Sequence, residues 1–384
     1  MAARAARAAS TGAAGLALLG CAAWELRRPR PDAAGCASAS AAAGRADGAA
    51  AASSVVFLGT GTSSSNPSFN CVLGLTPFGP VGGCAVCRKA SQGPPELNKD
   101  YRGNPSIAVL FRGHADGRTR FVQFDAGKTF LEAAKRWYPV HGITHLDAVV
   151  LTHEHADAVF GLDDLRLVQK PGTDLDIFLS LQTFEFLRSS LTYLTQAHPV
   201  PSFVGAGRRI APERVAKHLE GAPNKPKTFV SSLRWHVHSE PDPAAALEPF
   251  EVQGMQVVPF PVWHGPGFLS MGYALGRGRS KFVYISDLSA VPEPVMTRLK
   301  EWDVEYLVID TLHPNIAYPS HVSLEQALPI IRAIGARKTL LVGVSHMFDH
   351  DASNAKLAEL RQSMGIDVQI AYDGMKIDLD GIEL

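Results

Sequence analysis

Leu151-Thr152-His153-Glu154-His155-Ala156-Asp157 is the stretch on which the reading of this chain turns. It continues Ala148–Leu151, a short apolar run of the kind that forms a buried strand. The loop that leaves this strand carries two histidines at i and i+2, and past a sheet edge both imidazoles can point the same way. Imidazole and carboxylate are the donors that a divalent first-row metal takes. Two further β-rich runs end alike: Met255–Pro261 leads to Val262-Trp263-His264-Gly265, and Lys281–Ile285 leads to Ser286-Asp287. A lone histidine is more often a packing residue than a ligand. Three strand ends that each finish on a ligand type point to a metal centre. Three imidazoles and one carboxylate leave an ion an open position for water, whose pKa then falls toward neutrality.

Alternating β-rich and helical patterns run from Ser53 to the C-terminus. Ser54–Leu58, Ser106–Phe111 and Arg120–Phe124 precede the decisive loop, the last of them ending on Asp125. Asp176–Leu179, Tyr306–Ile309 and Thr339–Val344 follow it. Lys128–Tyr138 has helical spacing, with Phe130, Ala133, Ala134 and Trp137 on one face. Thr183–Leu194, Ser323–Ile334 and Asn354–Met364 read as further helices, the middle one capped by Ser323. Pro199–Pro226, rich in proline, glycine and basic residues, reads as a surface insertion. Each half offers strands with helices beside them, which predicts an α/β fold of sheet packed on sheet with helices outside.

The chain has 384 residues, 37 of them basic and 37 acidic. That balance argues against chain-wide attraction to nucleic acid or anionic lipid and leaves only local patches. A hydrophobic content of 46% excludes overall disorder, and five cysteines are too few for a disulfide-stapled scaffold. The first 52 residues are a different text: 23 alanines and six arginines stand against Glu25, Asp32 and Asp47. This composition resembles a transit peptide to mitochondrion or plastid. The uncharged run at 8–24, followed by Leu26-Arg27-Arg28-Pro29-Arg30, also reads as a short membrane anchor with a basic flank. Leu18-Leu19-Gly20-Cys21 resembles a lipoprotein cleavage box, and an Ala-rich disordered extension of a cytoplasmic protein is the plain alternative. The expected division is therefore 1–52 as a targeting or anchor segment and 53–384 as the folded body.

Leu151 to Asp157, followed by Gly161-Leu162-Asp163-Asp164-Leu165, resembles the His-x-His-x-Asp-His signature of the metallo-β-lactamase superfamily. Phe57-Leu58-Gly59-Thr60-Gly61, Phe124-Asp125, His264-Gly265 and Ser286-Asp287 follow in the order of that superfamily's other motifs, and coverage runs from about Val55 to the C-terminus. The branch most resembled is the cyclic-ribose-phosphate phosphodiesterase of phosphonate breakdown, with an uncharacterised plant-type subgroup close to it. The resemblance implies a four-layer αββα sandwich with the metal site at one edge of both sheets. It implies His153, His155 and His264 as ligands of a first ion, Asp287 as the bridge to a second, and Asp157 as a ligand of that second ion. Asp125 is implied to orient an imidazole or the loop.

The chain departs from that pattern twice. Ala158 stands where the signature has its last histidine, and Gly343 stands where relatives have a further one. Both are ligands of the second ion, so the expected centre is mononuclear, with His153, His155, His264 and Asp287, and Asp157 is freed to act as base. Glu154 or Asp163 standing in for the lost donors is the alternative. Cys84-Ala85-Val86-Cys87, with Cys71 upstream, lies in an insertion at about 66–105 that reads as Gly/Pro-rich loop, and a lone C-x-x-C is either redox-active or a pair of buried thiols. By the resemblance, Cys71, Cys84, Cys87 and His346 form a closed structural zinc site, although the relative's third cysteine falls near Gly82.

Ser320-His321-Val322-Ser323 resembles the position of a catalytic histidine in the phosphodiesterase and ribonuclease Z branches. There it would stabilise charge or protonate a leaving alkoxide, with helix capping as the plain reading. His313, in Asp310-Thr311-Leu312-His313, is a lesser candidate. Gly59-Thr60-Gly61 lacks the third glycine of a dinucleotide loop and is expected to let backbone lie close to the metal loops. His145 and His350 read as surface or packing residues, and His236-Val237-His238 as an edge-strand pair. The expected function is hydrolysis of a small nucleotide- or sugar-phosphate-like phosphodiester, with zinc as the structural ion and zinc, manganese or iron as the catalytic one. Ribonuclease-Z-like RNA processing and a non-catalytic zinc-stabilised binding module are the alternatives.

Overall fold

The computed structural model describes residues 53–75, 84–113, 116–196, 198, 200–205, 231–239, 242, 244 and 248–384. The expectations for 1–52, and for most of Pro199–Pro226, lie outside the described residues. Two sheets face each other. The first takes strands β1 (Ser54–Gly59), β2 (Ser106–Arg112), β3 (Thr119–Phe124), β4 (Ala148–Val150), β5 (Leu175–Ser180), β6 (Ser202–Phe203) and β7 (Leu233–Ser239). The second takes β8 (Phe250–Val252), β9 (Met255–Trp263), β10 (Leu269–Leu275), β11 (Ser280–Ile285), β12 (Asp303–Asp310), β13 (Lys338–Val342) and β14 (Val368–Ile370). The last strand, β15 (Lys376–Asp378), returns to the first sheet and pairs with β1. Among the described residues the orders are β15-β1-β2-β3-β4-β5-β7-β6 and β14-β13-β12-β11-β10-β9-β8.

Alternation within single strands builds three hydrophobic layers. In β1, Val55 and Phe57 enter the core between the sheets, while Val56 and Leu58 turn outward to the first sheet's helices. That is why β1 reads as an unbroken apolar run: both of its faces are covered. The outer core of the second sheet gathers Val258, Phe260, Val262, Leu307 and Ile309 under its own helices. The architecture is the αββα sandwich.

Nine helices of four or more residues flank the sheets among the described residues. Numbered along the chain, α1 is Phe69–Leu73, α2 Ala85–Ala90, α3 Phe130–His141, α4 Ala156–Val159 and α5 Leu181–Ser190. They continue as α6 Thr192–Thr195, α7 Glu293–Lys300, α8 Leu324–Ile334 and α9 His350–Met364. The pattern at Thr183–Leu194 thus divides at Leu191 into α5 and α6. Ser323 caps α8 in a reciprocal capping box with Gln326.

Strand direction is what assembles the site. β3, β4 and β5 are parallel, as are β11, β12 and β13. β9 and β11 are each antiparallel to β10, so they too run the same way. The loops after β3, β4, β9, β11, β12 and β13 therefore all leave at corresponding ends. The two sheets are tied there by Tyr273 of β10, whose hydroxyl donates to the Leu151 carbonyl at 2.6 Å, and by the Met271 N–H, which donates to the Thr152 carbonyl at 2.9 Å.

Candidate metal centre

Asp125, at the end of β3, adopts φ of +60°, a left-handed conformation that aspartate tolerates better than most residues. It turns its carboxylate under the next strand end. The Thr152 backbone N–H donates to its Oδ1 at 2.8 Å, and the Thr152 hydroxyl donates to the same carboxylate at 2.9–3.0 Å. With its one proton engaged, the Thr152 hydroxyl accepts from His153 Nδ1 at 2.8 Å. This chain fixes the tautomer of His153 and turns the lone pair of Nε2 toward the site. His153 is 1% exposed and Nε2 has no protein partner. A buried acceptor left without a partner fits a bound ion. Burial pushes the His153 imidazole down to about 3, which keeps it in the neutral, ligating form.

His264 follows β9. Its Nδ1–H donates to the Ser320 carbonyl at 2.7 Å, which leaves Nε2 with a lone pair. His155 Nδ1 lies 3.1 Å from that Nε2, and the His155 ring stacks on Phe268 with centroids 4.7 Å apart. Two nitrogen ligands on a tetrahedral zinc stand about 3.3 Å apart, given bonds of about 2.0–2.1 Å. The donor nitrogens of His153, His155 and His264 all lie within 4.8 Å of one another. His155 is the exposed member of the three, so the group opens to solvent on its side.

Asp287 joins from β11. Its carboxylate falls in a second group with His264 and His321, again within 4.8 Å, so the two groups share His264. Burial works against its ionisation, and the imidazoles of His153, His264 and His321 outweigh it, holding the group down at about 2. His321 Nδ1 lies 2.7 Å from Asp310 Oδ2 and 3.7 Å from Asp287 Oδ1. Burial would lower this imidazole, but the charge and hydrogen bond of Asp310 prevail and lift it to about 9. Asp157 sits in neither group. It is 6% exposed, and burial followed by the charge of Asp287 raises it to about 7. Trp263, Gly265, Pro266, Ser289, Ala290 and Pro319, sequence neighbours of His264, Asp287 and His321, line a shallow, open depression on the surface.

The family model of the β-lactamase superfamily domain matches residues 120–204 and 201–344, which hold every strand-end residue just described. The chain belongs to this superfamily. Its fold is that of a diphosphatase of the PhnP family, with a TM-score of 0.59 and 24% identity over 85% of this chain and 97% of the other. Zinc-bound PqqB from Methylobacterium extorquens has the same fold, with a TM-score of 0.56 and 18% identity over 85% and 100% of the two chains. An octanoyltransferase of Porphyromonas gingivalis is 26% identical over 331 residues, 86% of this chain and 52% of that protein. The chain spans about half the length of this curated relative.

Within this superfamily member the positions of the two departures are now plain. Ala158 is 2% exposed and packs into the core under the first sheet. Gly343 has φ of +68°, and a Cβ there would lie 2.2 Å from Asp310 Oδ1. The Asp310 carboxylate fills the space that a side chain at 343 would need. Glu154 does not stand in for a lost donor, because Gln182 and Thr183 donate to its two oxygens at 2.7 and 3.2 Å on the α5 side. Asp163 is paired with Arg166.

Cys71, Cys84, Cys87 and His346 form a separate group, their ligand atoms within 4.8 Å of one another. His346 Nδ1 lies 3.4 Å from the Cys71 sulfur and 3.3 Å from the Cys84 sulfur. Sulfur and nitrogen on a tetrahedral zinc stand about 3.5 Å apart, given bonds of about 2.3 and 2.0 Å. The insertion is not all loop: Cys71 rides on α1 and Cys84 caps α2. Burial pushes the Cys87 thiol up to about 12, the opposite of the lowered value that makes a redox C-x-x-C reactive.

Several histidines lie elsewhere. His313 Nδ1 meets the Ser345 hydroxyl at 3.0 Å and joins neither histidine group. His236 and His238 are not an edge pair, since β7 has β5 on one side and β6 on the other. His238 is wholly buried, bonded to the Tyr273 hydroxyl and stacked on Phe250. His350 is a packing residue against Tyr372. At Gly59 the close approach is to the Asn104 carbonyl rather than to the metal loops, with a Cβ there falling 1.9 Å from it.

Proposed function

We propose that this chain is a metal-dependent hydrolase that cleaves a phosphodiester in a small nucleotide- or sugar-phosphate-like molecule. The observation that carries this reading is an ion-fitting histidine group with a carboxylate-backed imidazole, His321, against its shared member His264. His153, His155, His264 and Asp287 would hold the catalytic ion, which is zinc, manganese or iron. When bound, such an ion supplies Lewis acidity and an activated water. The chain's own residues do the rest. Asp125 and Thr152 hold the His153 ring, and the Ser320 carbonyl holds His264. Asp157, with a proton affinity raised toward neutrality, takes a proton from the attacking water. His321 gives one to the leaving alkoxide. The diphosphatase name carried by a fold relative is in keeping with phosphoester chemistry.

With Ala158 and Gly343 at their positions, Asp157 and Asp287 are the only remaining donors of the implied second set, which supports one catalytic ion. The cysteine group and His346 would hold a structural zinc that ties the insertion to the segment after β13. The zero net charge favours a small substrate over RNA. The octanoyltransferase activity is named for a protein about twice as long, and nothing in the site calls for acyl transfer. The test is turnover of alkyl aryl phosphodiesters by the metal-loaded full chain. Cleavage that disappears in His264→Ala and His321→Ala supports the reading. Absence of turnover with zinc, manganese or iron would leave the non-catalytic binding module in its place.

A further inference from the structure

His155 is held differently from the other two imidazoles of its group. His153 and His264 each engage Nδ1 in a hydrogen bond that fixes the ring. In His155 it is Nδ1 that faces the group, 3.1 Å from His264 Nε2, and Nε2 has no hydrogen-bond partner among the described residues. The backbone of His155 is settled: the residue opens α4, and its carbonyl accepts the Ala158 and Val159 N–H groups at 2.9 and 3.1 Å. The side chain, which is exposed, is left with its own torsions to fix.

The contact that fixes them comes from the other sheet. Phe268 lies flat on the His155 ring, with centroids 4.7 Å apart and planes 5° from parallel. It meets the His264 ring at 67°, with centroids 5.7 Å apart. The turn from β9 to β10 determines where Phe268 sits. The His264 N–H donates to the Phe268 carbonyl at 2.9 Å, and the Gly265 N–H donates to the Ser289 hydroxyl at 3.0 Å. Gly265 and Gly267, at φ of +100° and +72°, supply the left-handed steps by which the chain reverses. One turn thus carries one ligand, His264, and lays an aromatic face on a second that belongs to the first sheet.

We infer that Phe268 is a positioning residue for the catalytic ion: by stacking on His155 it holds that ring with Nδ1 toward the site, in place of the hydrogen bond that orients each of the other two imidazoles. This rests on the ion-holding role proposed above for the histidine group and not on the substrate. Stacked rings select an orientation as well as burying area, so an aliphatic side chain of similar bulk does not replace the contact.

The test is competition between the full chain and a chelator for zinc, in the wild type, Phe268→Leu and Phe268→Tyr. Phe268→Leu is expected to weaken the ion that His264→Ala removes by about 10-fold and to leave the cysteine-held ion unchanged. Phe268→Tyr, which keeps the flat ring, should restore the affinity. In a His155→Ala background Phe268→Leu should cost nothing further. Wild-type affinity in Phe268→Leu, an equal loss in Phe268→Tyr, or additive losses in the double variant would overturn the inference while leaving an ion at the histidines. Wild-type protein that takes up no ion there would overturn it together with the reading beneath it.

A second measurement needs no variant at 268 and no turnover. The ring protons of His155, assigned with His155→Gln, should be shifted upfield by the Phe268 ring in both metal-free and zinc-loaded full chain. Unshifted protons would mean that the two rings do not stack in solution, and would refute the assignment.

Discussion

The Thr152 hydroxyl stands between Asp125 and His153, donating to the first and accepting from the second, and so transmits the position of β3 to a ring carried by β4. Replacing Thr152 by valine keeps the shape and the backbone N–H to Asp125 but removes this link. Such outer contacts typically contribute 10–100-fold in metal affinity. Thr152→Val is expected to weaken the catalytic ion by that factor, while folding stability falls by only about 1 kcal/mol. Competition with a chelator measures the first and urea unfolding the second. Unchanged metal affinity would mean that the His153 ring is held by packing alone.

Gly343 and Asp310 are locked together, and a substitution shows it. Gly343→Ala must place an L side chain at φ of +68°, which costs roughly 1–2 kcal/mol, and set its methyl 2.2 Å from Asp310 Oδ1. The variant is expected to lose at least that much stability in urea and to bind no additional ion. Wild-type stability would show that the Asp310 carboxylate yields easily to a side chain at 343.

His350, a member of neither metal group, provides a pH test. Burial, then the nearby charges of Arg102 and Lys99, push its imidazole down to about 4, against about 6.5 when unfolded. The unfolded chain therefore takes up this proton first as pH falls. The contribution of His350 is fully present above pH ~6.5 and is lost progressively as pH drops to about 4, at up to ~1.4 kcal/mol per pH unit. His350→Phe keeps a ring against Tyr372 and removes the titration. Its stability, measured by urea unfolding from pH 7 to pH 4, should fall less steeply than that of the wild type. Parallel curves would place the acid sensitivity elsewhere.

Much of the centre was legible because each strand end pairs an apolar run with a ligand type. The runs ending before His153, His264 and Asp287 became β4, β9 and β11, and parallel strand direction brought them to one edge. The grouping of His321 with Asp287 was not legible, nor was Asp310 as its partner. That contact joins β12 to a loop residue eleven positions later and is set by the loop's return, not by spacing. An acidic residue closing the strand next to the one that ends before Asp287 was the available signal. β10 is obscured in the sequence because Ser270 and Gly272 dilute its apolar pattern. α7 was hidden by Pro292 and Pro294, although proline is compatible with a first helical turn. α9 starts at His350, four residues before Asn354, because Asp349 caps it by accepting the Ala352 N–H.

The central claim is one catalytic ion held by strand-end histidines beside one structural ion held by cysteines. Elemental analysis of the purified full chain, next to Cys84→Ala and His264→Ala, tests it most directly. The account predicts about two metals per chain in the wild type, with one lost in each variant. A single metal that disappears only with Cys84→Ala, or three metals of which His264→Ala removes two, would contradict it.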